Sequence, residues 1–177
     1  FRSRGVVVAY DARPDSQQFA EDAACVLAAL RFRIYLTDTC TPTPMAAFAV
    51  REYHAAAGIV ITASHNPPEY NGYKVYWDNG AQIIPPVDAG IAAAIDVAAN
   101  TIIPWCDLEA ARAENRIVTL GADFRERYLA AILTEPLFAA QEASTDGISI
   151  AYTALHGVGA RSAEDLLARA EIGRAHV

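Results

Sequence analysis

Three short apolar runs, each followed by an abrupt break, restrict this chain more than any other feature. They are GVVVAY at residues 5–10, RIYLT at 33–37 and GIVIT at 58–62. Short runs rich in β-branched residues, without polar alternation, read as strands buried on both faces. After the first, DARPDS breaks the strand and Ser16 is placed to cap a helix. In that helix Phe19, Ala23, Val26, Leu27 and Leu30 share one face, the expected inward stripe. After the second, DTCTPTP puts Thr43 at a cap position and Pro44 at the first helical position. Met45, Phe48, Ala49 and Tyr53 then share an inward face. Strand–helix–strand–helix–strand with short connections demands crossover units on one sheet. The expected fold class is α/β, with a mixed, mostly parallel sheet flanked by helices.

The mixed character comes from YKVYW at 73–77 and AQII at 81–84, which flank the tight-turn signal Asp78-Asn79-Gly80. An antiparallel ribbon is expected to join the sheet. Residues 85–99 read as a helix with Ile91, Ala94, Ile95 and Ala98 on one side. Residues 101–121 read as loop plus a helical turn. Residues 122–133 read as a helix with Phe124, Tyr128, Ala131 and Ile132 at helical spacing. The polar, broken stretch 134–147 is the expected boundary. Residues 1–140 form one expected domain. Residues 147–170 repeat the strand–loop–helix order and read as the start of a second, similar one. EIGRAHV at 171–177 reads as a non-native tail. Phe1 in place of Met, with a strand close behind it, reads as a chain whose natural start lies upstream.

Composition narrows the class. Hydrophobic residues make up 53% and charged residues 20%, with a net charge of −7. That supports a sizeable core. No basic face points to nucleic acid, and no apolar run is long enough to span a bilayer. Cys25, Cys40 and Cys106 lack metal spacing and read as small core residues in a reducing compartment. The expected location is the cytoplasm.

The third run leads directly into ASHNPPEYNGYK. In open α/β sheets, ligands bind beyond the carboxyl ends of strands. Ser64 sits two residues past such an end, a setting that suits either a nucleophile or a phosphate cradle. Pro67-Pro68 stiffens the loop, and Asn71-Gly72 permits a positive-φ turn that aims the chain back. Lys74 opens the returning strand close to Ser64. A hydroxyl and an ammonium held at fixed separation suit phosphoryl transfer, where positioning and charge neutralisation dominate. The plain alternative is a polar turn carrying a surface histidine. A serine hydrolase is excluded by the lack of a G-x-S-x-G elbow and of a plausible base.

TASHNPPEYNGYKVYW closely resembles the catalytic serine loop of the α-D-phosphohexomutases, the phosphoglucomutase/phosphomannomutase superfamily. YDAR at 10–13 resembles the first loop of that family's domain 1, TPTP at 41–44 its second loop, and YTALHGVG at 152–159 the opening of its domain 2. YKVYWDNGAQI and YTALHGVG are most similar to the phosphoglucomutase/phosphopentomutase branch.

The resemblance implies an isomerase. A phosphoserine at Ser64 gives its phosphoryl group to a sugar monophosphate, and the sugar 1,6-bisphosphate turns over and returns its other phosphate. The net result moves phosphate between C1 and C6, or C1 and C5 in a pentose. Small sugar phosphates are the implied partners, with no nucleic acid and no membrane. Lys74 is implied either to neutralise phosphate charge or to move a proton to the sugar hydroxyl. His65 is implied either in proton transfer or in shaping the loop, and Asn66 in shaping it. Arg13 either reaches the phosphate or supports the start of the first helix. His156 either lines the cleft or serves its own loop. Mg²⁺ is the implied cofactor, bound by the Ser64 phosphate and by aspartates of a D-G-D-x-D-R loop that this chain does not contain. A non-catalytic sugar-phosphate-binding relative is the competing reading, and the Ser64/Lys74 pair argues against it. The 177 residues alone are expected to be inactive.

Overall fold

The computed structural model describes residues 2–135 and 149–170. The backbone divides into two compact units, Phe1–Leu120 and Gly121–Val177. Most of the expected boundary stretch 134–147, and the tail 171–177, lie outside the described residues.

The first unit is built on a five-stranded sheet. Its strands are β1 (Val6–Tyr10), β2 (Ile34–Thr37), β3 (Ala57–Ile61), β4 (Tyr73–Trp77) and β5 (Ile117–Leu120). Their order is β4-β3-β1-β2-β5. β1 runs parallel to β2 and β3, and β2 parallel to β5. β4 lies antiparallel on β3, with Val60 opposite Lys74 and Ile61 opposite Tyr73. The mostly parallel sheet with one antiparallel edge is thus the architecture expected from the sequence. β1 is central, and all five of its residues are buried. That explains VVVAY: a middle parallel strand meets helices on both sides and has no wet face.

Helix α1 (Ser16–Ala29) covers one face. The expected inward stripe of large residues is corrected here. Ala20, Ala24 and Ala28 are fully buried, whereas Phe19 is 40% exposed and Leu30 39% exposed. Small side chains let the helix backbone approach the sheet closely, and Leu27 packs in from the side. Ser16 is also not the cap. Asp15 takes that position with a φ of 62°, and Ser16 is the first helical residue.

Helix α2 (Thr43–Glu52) covers the other face through Met45, Ala46, Ala49 and Val50. Its cap is Pro42 rather than Thr43. Tyr53, just past its end, stacks on Tyr35 with centroids 4.7 Å apart. Gly58 of β3 faces this helix. A Cβ there would meet the Val50 side chain at 2.6 Å, so only glycine permits the approach. After β4, the turn closes at Gly80 with a φ of 79°. The returning segment makes a single bridge, Tyr76 to Gln82, rather than a full strand.

Helix α3 (Val87–Ala98) has no buried residue. Helix α4 (Leu108–Ala113) is capped by the Asp107 side chain, which accepts from the Ala110 N–H at 2.8 Å. β5 follows it, where the sequence reading expected only loop and a helical turn. Four residues are too few to establish a period, and β5 exists because β2 offers it an open edge.

The second unit contains α5 (Ala122–Leu133) and α6 (Ala160–Arg169). Phe124 and Leu129 are buried on α5. The Arg169 guanidinium makes a bidentate pair with Glu126, at 2.8 and 2.9 Å. The expected strand at 148–153 begins outside the described residues. From 149 to 153 it is not a continuous strand, and Ala151 alone forms a bridge. A strand needs a neighbour to satisfy its backbone.

Candidate phosphoryl-transfer site

In the first unit, β1 is followed to one side by β2 and to the other by β3, so the chain changes direction across β1. Loops leaving the carboxyl ends of strands at such a point frame a crevice. Here the β1 and β3 exits are tied together by the Asp11 N–H donating to the Ile61 carbonyl at 3.0 Å. The TPTP loop after β2 is tied in by the Thr41 N–H donating to the Tyr10 carbonyl at 2.8 Å.

Ser64 stands in the loop after β3 with its side chain exposed. Its backbone is left-handed, with a φ of 59°. The positive φ expected at Asn71-Gly72 falls on Ser64 instead. For a residue with a Cβ this conformation costs on the order of 1–2 kcal/mol, so surrounding bonds must enforce it. The Ser64 N–H donates to the Thr62 hydroxyl at 2.9 Å. The Ser64 carbonyl accepts from Arg13 at 2.8 Å. Among the described residues nothing bonds the Ser64 hydroxyl itself.

Arg13 extends under this loop with 11% of its side chain exposed. Its Nη1 donates to the carbonyls of Pro67 at 2.6 Å and Tyr70 at 3.1 Å. Its Nη2 donates to those of Ser64 and Asn66, both at 2.8 Å. Its Nε donates to Asp11 Oδ2 at 3.1 Å. A guanidinium carries five N–H donors, and all five are engaged. The phosphate-ligand role read for Arg13 is therefore not what this structure displays, because no donor is left to offer. The helix-start role is served only indirectly, through Asp11.

Asp11 is the hub beneath. It accepts from the Arg13 N–H at 3.1 Å and from the Ser16 hydroxyl at 2.8 Å. Burial alone would raise its carboxyl. Hydrogen bonds from Thr62, Ser16 and the Arg13 N–H, with the Arg13 charge, outweigh burial and hold it below its ordinary value. Asn71 closes the far side. Its amide donates to Ser16 Oγ at 2.8 Å, and its Oδ1 accepts from the Gly72 N–H at 2.9 Å. The sequence reading missed Asp11, Thr62 and Ser16 as parts of the site, and took Asn71 only as a turn residue of the loop. The available signal was Asp11 itself, a carboxylate one residue past a fully buried strand.

Lys74 is half-buried on β4, opposite Val60. The ladder continues past it, with the Thr62 N–H donating to the Gly72 carbonyl at 3.0 Å. Directly opposed residues share a face, and faces alternate along a strand. Lys74 therefore rises on the same face of the sheet edge as Thr62, whose hydroxyl holds the Ser64 N–H. His65 and Asn66 are exposed. Asn66 contributes its carbonyl to Arg13, and its N–H closes a turn on Ala63 at 3.1 Å. His156 belongs to the second unit, exposed in the turn before α6.

Among the described residues no group of three or more His, Cys, Asp or Glu side chains could hold a metal ion. No helix among them is long and apolar enough to cross a membrane.

Comparison with known proteins agrees with this geometry. The family model for phosphoglucomutase/phosphomannomutase, alpha/beta/alpha domain I, matches residues 2–101. The chain is 39% identical over 176 residues to the "Probable phosphomannomutase" of Haemophilus influenzae, covering 97% of this chain and 34% of that protein. It is 46% identical over 110 residues to the human phosphopentomutase, covering 59% of this chain and 18% of that one. The crystal structure of a phosphoglucomutase/phosphomannomutase family protein from Burkholderia thailandensis superimposes with a TM-score of 0.64 at 25% identity. That match covers 98% of this chain and 35% of the other. The chain thus spans about a third or less of these relatives. A match over more than half of its residues, on a sheet whose switch point carries the serine loop, means that the chain belongs to the phosphoglucomutase/phosphomannomutase family.

Proposed function

We propose that this chain carries the phosphoryl-donating serine of a phospho-sugar mutase acting between C1 and C6 of a hexose phosphate or C1 and C5 of a pentose phosphate. One observation carries the reading. The Ser64 hydroxyl is exposed at the carboxyl end of the sheet, while its backbone is held in an otherwise unfavourable conformation. A nucleophile that must give and take the same group needs an open oxygen on a rigid base.

In the proposed cycle the bond from phosphorus to Ser64 Oγ breaks as a bond to a sugar hydroxyl oxygen forms. The hydroxyl proton leaves to a base, for which Lys74 and His65 are the candidates from this chain. The base passes that proton to the freed Ser64 Oγ; the bisphosphate then turns over, and its other phosphoryl group returns to Ser64 Oγ as the bond from phosphorus to the second sugar oxygen breaks and the Oγ proton passes through the base to that oxygen. The intermediate is thus a 1,6-bisphosphate for a hexose or a 1,5-bisphosphate for a pentose, and a sugar 1,6-bisphosphate is proposed as the reagent that loads the serine. Asn66 is proposed to shape the turn that presents Ser64, and His156 is proposed as a substrate-binding residue. Among the described residues, a Mg²⁺ would find an oxygen of the Ser64 phosphate as its ligand. The cytoplasm is the proposed location.

The test incubates the full-length protein carrying this chain with labelled glucose 1,6-bisphosphate. Label is expected on Ser64 and none in Ser64→Ala; equal labelling of both would refute the reading. Lys74→Ala is expected to slow transfer by about 10²-fold or more. Rates with glucose 1-phosphate and ribose 1-phosphate as acceptors then separate the hexose from the pentose.

A further inference from the structure

We propose that Arg13 is a positioning residue for phosphoryl transfer, one that fixes the Ser64 backbone without touching the substrate. The inference rests on the serine reading above and adds a residue to it. Four of the five guanidinium donors go to backbone carbonyls of one loop, those of Ser64, Asn66, Pro67 and Tyr70. The fifth goes to Asp11, which anchors the cation to the β1 exit. These carbonyls lie 51 to 57 residues away in sequence, so no local turn preference could supply the same restraint. The loop they belong to has no regular secondary structure of its own.

The chemistry explains why an arginine is required. Lysine is also cationic, but its three donors radiate from one nitrogen and cannot reach four carbonyls around a plane. The planar fork spans the inside of the loop as a template. Asp11 keeps it oriented, and the Thr62 hydroxyl, which bonds both Asp11 and the Ser64 N–H, ties the serine's other backbone atom to the same hub. Ser64 is therefore held through both its N–H and its C=O by one connected network. Losing the fork frees the left-handed serine to relax toward common backbone angles, which moves Oγ while leaving the sheet intact.

The experiment uses Arg13→Lys in the full-length protein. The expected result is a fall in kcat of about 10²-fold with KM within about twofold of wild type. The backbone N–H groups of Ser64, His65, Asn66, Glu69 and Tyr70 should exchange about tenfold faster than in wild type, while those of β1 and β3 stay unchanged. A raised KM with kcat preserved would make Arg13 a phosphate or substrate ligand and overturn the proposal. Unchanged loop exchange would overturn it too. A measurement on the unmutated protein covers the case in which Arg13→Lys does not fold. With selectively labelled arginine, Arg13 should show separate, slowly exchanging Nη proton signals; one averaged signal would refute the clamp. If Ser64 never becomes labelled, the mutase reading fails, while the exchange and Nη measurements still decide the clamp.

Discussion

Residues 64–70 form neither helix nor strand, yet four of their carbonyls are held by a single guanidinium. α3 is a regular twelve-residue helix, yet none of its side chains is buried. Regular structure and restraint are thus separate properties in this chain. An isolated helix of about a dozen residues is marginal in water, and α3 shows its apolar Ile95 and Val97 at 62% and 72% exposure. The loop shows its Ser64, His65 and Asn66 side chains to solvent but secures its backbone to distant polar groups. Exposure of a side chain therefore says little about how firmly its backbone is held.

Four measurements sharpen or break this contrast. Ile61 is fully buried at the base of the serine loop. Ile61→Ala should cost about 3 kcal/mol in urea denaturation, and a value near zero would mean that the sheet does not support the loop. Asp11→Asn should cost about 2 kcal/mol, because it weakens acceptance from Arg13, Thr62 and Ser16 together.

The third measurement is a pH series. The folded Asp11 carboxyl is held below its ordinary value of 3.8. Its contribution is therefore complete above that value and is lost as pH falls through the lower folded value. The stability gap between wild type and Asp11→Asn should stay level from neutral pH to about pH 5 and narrow below 4. A gap that narrowed on the alkaline side would contradict the assignment. The smallest effect is expected for Ile95→Ala on α3, within about 0.5 kcal/mol. A loss as large as that of Ile61→Ala would show that α3 is packed after all.

The legible parts of the molecule were those written in contiguous residues. GVVVAY, RIYLT and GIVIT announced three buried strands, and Asp78-Asn79-Gly80 announced the turn after β4. SHNPP and Lys74 announced the polar loop and its neighbouring cation. β5 was illegible because four edge residues carry no period of their own. The buried face of α1 is not legible from its large apolar residues, because close helix–sheet packing selects Ala20, Ala24 and Ala28. Arg13 was visible, but its role was not, since its partners lie more than fifty residues away.

By itself the sequence determined the α/β succession, the mostly parallel sheet and the placing of Ser64 just past a buried strand. Those follow from local hydrophobic runs and from the few ways crossover units can close. Only the tertiary structure decided that Ser64 is left-handed, that Asp11 is the hub and that Arg13 is spent on carbonyls. Those facts depend on which polar groups the folded sheet brings within hydrogen-bond distance of one another. Spacing along the chain carries no record of that.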